Sequence, residues 1–214
     1  VSLRQQTSGN KHPLTLTAMN NHAAMLENLG RTHDAEPVYT EVLKARRQLL
    51  GNTHPDTINS MNNYASVLNA LGRPRESEKI FGEAMRLRKE LSGPDHPETL
   101  TAINNYAYIL GELGRPVEAE TLYREVLRKR RELLGPLHPD TSMSLNNYAS
   151  MLGQLGRDTE VEAVYAEALK LQRETLGADH PSTITTLSNH AFILNRLGRT
   201  DKAEKQLAEA IRLS

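Results

Sequence analysis

Residues 96–135 read HPETLTAINNYAYILGELGRPVEAETLYREVLRKRRELLG, and this stretch decides the fold. Leu100, Ile103, Ala107, Leu110 and Gly114, with Tyr106 beside them, recur at helical spacing and draw one apolar stripe. Pro97 stands where a first helical residue belongs, because its missing N–H costs nothing there and its φ is already helical. Gly114 suits the left-handed backbone that closes a helix. After a short polar turn, Ala119, Leu122, Tyr123, Val126 and Leu127 form a second stripe, which runs to Leu133-Leu134 and stops at Gly135-Pro136. The stretch therefore predicts two helices joined by a tight turn.

The same unit recurs along the chain. His-Pro begins at His12, His54, His96, His138 and His180, a spacing of 42 residues each time. Gly-Arg follows 18 residues after each of those histidines, at 30–31, 72–73, 114–115, 156–157 and 198–199. Asn-Asn lies between them at 20–21, 62–63, 104–105 and 146–147, with Ser188-Asn189 as the departure. This register predicts first helices near 13–29, 55–71, 97–113, 139–155 and 181–197. Second helices are expected near 34–50, 76–92, 118–134, 160–176 and 201–214. The organisation is read as 1–11, the end of a preceding repeat; then repeats 12–53, 54–95, 96–137, 138–179 and 180–214, the last with a truncated second helix. A two-helix unit cannot bury its stripe alone, so the copies must stack.

The motifs His-Pro-x-Thr-Leu, Asn-Asn-x-Ala, Leu-Gly-Arg and Glu-Ala-Glu-x-Leu-Tyr resemble tetratricopeptide (TPR) repeats of the kinesin-light-chain type. The resemblance covers nearly the whole chain. It implies an all-α, right-handed superhelical solenoid of five tandem helix-turn-helix repeats, whose first helices line a concave groove that binds extended peptides. The family's preference for acidic tryptophan-containing peptides is not carried over, because the expected groove lacks a dense Lys/Arg set.

Composition excludes other classes. The chain has 26 Lys+Arg against 26 Asp+Glu and no cysteine. It has no basic excess for nucleic acid or an anionic membrane surface, and no thiolate chemistry. No apolar run is long enough for a transmembrane helix, and the N-terminus reads without a signal peptide. A cytoplasmic, non-enzymatic protein with no cofactor, no metal, no nucleic-acid and no membrane partner is expected. Phosphate-binding loops and nucleophile motifs are missing from the sequence.

The ionisable clusters have structural explanations. One His-Pro histidine per repeat places neighbours about 10 Å apart, too far for shared metal ligation, so these residues are read as helix N-termini. Acids gather at the starts of second helices (Glu76 and Glu78, Glu118 and Glu120) and bases at their ends (Arg46 and Arg47, Arg86 and Arg88, Arg128–Arg131), as the helix dipole favours. His22 and His190 replace Tyr64, Tyr106 and Tyr148 at one repeat position and are expected to pack. Met143 is read as a gap-filler between helices.

The asparagines carry the functional expectation. By the resemblance, the second of each pair, Asn21, Asn63, Asn105, Asn147 and Asn189, matches the position whose polar side chain clasps a ligand backbone. A carboxamide both donates and accepts, and repeats about 10 Å apart match roughly three residues of extended chain. Asn62 and Asn104, the first of their pairs, are candidate ligand contacts beside the second asparagines, and the competing expectation is that one residue of each pair locks the repeat junction. Tyr108 and Phe192 fall three residues after a ladder asparagine, where the other copies carry Ala24, Ser66 and Ser150. They are candidate ligand anchors, or else fillers of a junction. The expected function is a scaffold that grips a protein segment through this ladder, the segment being neutral or slightly basic near Glu27 and Glu112. The alternative is a structural or sensor array of a larger multidomain protein, such as a nucleotide-binding receptor. The open face of the last helix, with Leu207, Ala210, Ile211 and Leu213, predicts end-to-end self-association.

Overall fold

The computed structural model describes residues 12–213, so the expectation that 1–11 ends a preceding repeat lies outside the described residues. The described residues form ten α-helices in five tandem helix-turn-helix repeats, an all-α solenoid with no strand among them. First helices are α1 (Pro13–Asn28), α3 (Pro55–Ala70), α5 (Pro97–Glu112), α7 (Pro139–Gln154) and α9 (Pro181–Arg196). Second helices are α2 (Thr32–Leu50), α4 (Pro74–Ser92), α6 (Pro116–Leu134), α8 (Asp158–Thr175) and α10 (Thr200–Leu213).

Local chemistry sets the ends. Each His-Pro histidine is an N-cap whose ring Nδ1 accepts the backbone N–H two residues on, as from Glu98 to His96 at 3.3 Å and from Asp140 to His138 at 3.1 Å. At the other end, Gly30 sits at φ 72°, and its N–H donates to the Glu27 carbonyl while the Arg31 N–H donates to the Leu26 carbonyl, both at 2.8 Å. A residue with a Cβ would be strained in that conformation. Four of the five second helices start two residues before the sequence-based expectation, and α10 one before. The Gly-Arg arginine itself occupies the N-cap position of α2, α4 and α8, and Pro74 and Pro116 open α4 and α6. Those prolines mark the starts of α4 and α6, while α2, α8 and α10 open on Thr32, Asp158 and Thr200.

The chain divides into two compact units, with the break between Arg115 and Pro116, inside the third repeat. In the first unit, α1 to α5 pack in sequence order. The second-helix aromatic of one repeat receives an aliphatic side chain from the next: Tyr39 packs with Ala23, Ala35 and Val67, and Phe81 with Ala65 and Ile109. In the second unit, Tyr165 packs likewise with Ala149, Val161 and Ile193. Burying each such side chain contributes about 1.5–3 kcal/mol, and it is gained only when a following repeat is present.

Candidate functional site

The asparagine pairs lie on the first helices and are half-buried from Asn62 onward, whereas Asn21 is exposed. The Asn63 carboxamide N–H donates to Asn20 Oδ1 at 3.0 Å, and Asn189 donates to Asn146 Oδ1 at 3.1 Å. The second asparagine of one repeat thus reaches the first asparagine of the repeat before it. Each rung uses one donor of the second residue and one acceptor of the first, so the second keeps its own Oδ1 as an acceptor. Tyr165 adds its hydroxyl to Asn146 Oδ1 at 3.2 Å. The rungs are not uniform: Asn62 Oδ1 is buried without a partner.

Tyr108 and Phe192 are exposed, at 48% and 62% of their surface. Phe192 borders a cleft of about 340 Å³ between α7 and α9, lined also by Ser150, Gly153, Gln154, Asn189 and Arg196. A Cβ at Gly153 would come into contact with the Arg196 guanidinium, at 3.4 Å. Arg196 is itself paired with Asp158 at 3.0 Å. Glu27, read as a ligand contact, instead accepts the Tyr39 hydroxyl at 2.7 Å, while Glu112 is exposed. Burial and this bond push the Tyr39 hydroxyl well above its ordinary ionisation range.

Three second-helix bases are the residues that sequence reasoning missed. Arg46, Arg88 and Arg130, spaced by 42, are buried rather than solvated at a helix end. Arg46 donates to Thr17 Oγ1 in its own repeat (3.2 Å) and to Ser60 Oγ (2.8 Å) and the Asp56 carbonyl (3.1 Å) in the next. Arg130 makes the matching bonds to Ser144 Oγ and the Asp140 carbonyl. Arg88 faces Ala102 where the others meet serine. It bonds Asn59 Oδ1 at 2.7 Å and pairs with Glu98 at 2.7 Å. Burial lowers the Arg46 and Arg130 pKa values, and Asp56 and Asp140 partly offset this. The signal was present in the sequence as an arginine and a serine in fixed register. The clustering of like charges around it hid it.

The acids at second-helix starts are also ion-paired. Arg73 pairs with Glu36 of the preceding repeat and Glu76 of its own helix, and Arg115 pairs with Glu78. In the second unit, Arg157 approaches Glu120 and Arg199 approaches Glu162. Dipole matching alone therefore did not account for these clusters. Three packing expectations are corrected. His22 is exposed, whereas His190 is buried against Glu162 and Gln206. Met143 is 47% exposed and fills no gap. Ala210, expected on the open face of the last helix, is buried with Leu169 and Leu187. Among the described residues no group of three or more His, Cys, Asp or Glu side chains could hold a metal ion, and no helix is long and apolar enough to cross a membrane.

The tetratricopeptide repeat family model matches residues 14–90, 56–132, 100–174 and 140–214. A crystal structure of Podosopora anserina putative kinesin light chain TPR-like repeats shares 20% identity, covers 94% of this chain and 96% of its own, and superposes with a TM-score of 0.85. BtubC (BKLC) from P. vanneervenii shares 20% identity at a TM-score of 0.78, covering 98% and 85%. YrrB, a TPR protein with an unusual peptide-binding site, shares 13% identity at a TM-score of 0.54, covering 100% and 91%. These likenesses show the fold. No curated protein matches the sequence.

Proposed function

The chain belongs to the tetratricopeptide repeat family, and from that premise we propose that it is a non-enzymatic scaffold binding an extended protein segment along its first helices. The observation that carries this reading is Phe192, an exposed ring that borders the open cleft together with Asn189; in the first unit Tyr108 is exposed likewise, three residues after Asn105. An exposed ring beside an open cleft is the kind of anchor that dominates binding energy at interfaces. Phe192 would hold an apolar side chain, and the acceptor that Asn189 retains would take a ligand backbone N–H. By register, Asn21, Asn63 and Asn105 in the first unit and Asn147 in the second are the matching candidate contacts, with Asn62 and Asn104 beside them. YrrB, with its peptide-binding site, lends support by analogy of fold.

The test is selection of peptides from a displayed library, followed by titration of the best binder. Phe192→Ala and Asn189→Ala should each weaken binding at least about tenfold while the melting temperature of Phe192→Ala stays unchanged. Selected peptides that bind both variants as tightly as the parent chain would defeat the proposal. A second reading, a structural array within a larger protein, is favoured by the Asn63–Asn20 and Asn189–Asn146 rungs, which hold repeats together without any ligand. Under that reading Asn189→Ala lowers stability and no peptide is selected.

A further inference from the structure

The fourth repeat departs from the first three at two positions, and both departures border one cavity. Leu16, Ile58 and Leu100 hold one first-helix position and are at most 1% exposed, whereas Ser142 stands there in the fourth repeat and is half-buried. Arg46, Arg88 and Arg130 hold one second-helix position, where Gln172 stands in the fourth. Each replacement is shorter than the side chain whose place it takes. Ser142 and Gln172 line a cavity of about 140 Å³, together with Leu137, Leu145, Leu171 and Thr186. Protein interiors are close-packed, so a hole of this size beside two shortened side chains belongs to this repeat and not to the fold in general.

The cavity's chemistry is specific. Gln172 is 4% exposed, and its Oε1 has no hydrogen-bond partner. A buried acceptor in that state is costly, and a ligand that delivers one N–H or O–H would satisfy it. The remaining wall is chiefly apolar, from Leu137, Leu145, Ala168 and Leu171. The volume is close to the roughly 150 Å³ in which an apolar cavity takes up one benzene ring.

The rim lacks a tie found elsewhere. Arg47 pairs with Glu83 at 2.9 Å and Arg173 with Glu209 at 2.7 Å, each joining the second helices of successive repeats. Arg131 and Glu167 stand at the same register and both line the cavity, yet among the described residues no ion pair joins them. One cation and one anion on the lining favour a neutral ligand over a charged one.

We propose that this cavity binds a small neutral aromatic molecule, a single ring bearing one hydroxyl or amine, with the ring against Leu145 and Leu171 and the donor on Gln172 Oε1. The site shares no lining residue with the α7–α9 cleft, so it stands apart from the peptide-binding reading.

Titration of the 214-residue chain with phenol, followed by NMR of the leucine methyl groups, tests this. Phenol should bind saturably and shift the Leu145 and Leu171 signals. Toluene, the same ring without a donor, should bind at least about tenfold more weakly. Ser142→Leu restores the side chain of the third repeat and should abolish phenol binding, with the melting temperature kept or raised. Gln172→Met keeps the length, removes the acceptor and should bring phenol down to the level of toluene. N-acetyltyrosinamide, which carries the ring on a peptide backbone, should bind more weakly than phenol, because the volume admits the ring alone. The proposal is overturned by a parent chain that binds no phenol, by equal binding of phenol and toluene, or by phenol binding that survives Ser142→Leu. Tighter binding of N-acetyltyrosinamide than of phenol also overturns it, since the occupant would then be a protein side chain.

Discussion

The junction between the first and second repeats and the junction between the fourth and fifth are built on one register but tied differently. At the first, Arg46 crosses from α2 and satisfies groups on both α1 and α3. At the other, Gln172 holds the same place, is equally buried, and leaves its Oε1 without a partner. Thr186, the equivalent of Ser60, is in place on α9, but Met143 stands on α7 where Thr17 accepts the Arg46 bond. The comparison shows that the register fixes where a tie belongs, while the side chains at both ends, donor and acceptor, decide whether it forms. Gln is too short and carries two N–H groups where the guanidinium has five.

Removing the stronger tie should have the largest effect. Arg46→Ala deletes several buried hydrogen bonds and opens a void, and should cost about 2–4 kcal/mol of unfolding free energy, read from urea denaturation. Equal stability of parent and variant would show that the buried arginine gains nothing over water. In the other direction, Gln172→Arg should raise stability by about 1 kcal/mol by rebuilding the tie onto α9, and a loss would show that the fourth repeat cannot admit the longer side chain. The asparagines offer a smaller contrast. Asn63→Ala breaks a formed rung and should cost about 1 kcal/mol, whereas Asn62→Ala removes a buried oxygen that has no partner and should cost less. Thermal melts of the two variants side by side check this ordering.

The smallest effect concerns the surface ion pairs. The hydrogen bonds from Arg73 and Arg157 hold the Glu76 and Glu160 carboxyls below the usual carboxylate range. A depressed folded-state pKa contributes stability above the unfolded value, and that contribution is lost as pH falls through the folded value. The melting temperature should therefore decline below about pH 4, less steeply in an Arg73→Ala/Arg157→Ala variant and less steeply at high salt. A parallel decline in parent and variant would rule out these pairs as the source.

Some of the candidate site was legible beforehand and some was not. The Asn63 and Asn189 positions, the His-Pro caps and the exposure-prone aromatics follow from a 42-residue spacing and helical geometry. Sequence alone could not separate Arg46 from Arg47. The two are adjacent, but one is buried among Thr17, Asp56 and Ser60, while the other is half-exposed and bonds Glu83 at 2.9 Å. Likewise His22 and His190 share a repeat position, yet His22 is exposed and His190 is buried against Glu162 and Gln206.

By itself the sequence determined the number of repeats, the pairing of helices, their caps and the register that brings equivalent residues together, because each depends on contacts within a few residues. Only the tertiary structure decided which charges lie inside, which amide rungs close and which apolar faces stay open. Those outcomes depend on partners tens of residues away, and on whether a neighbouring helix is present to exclude water.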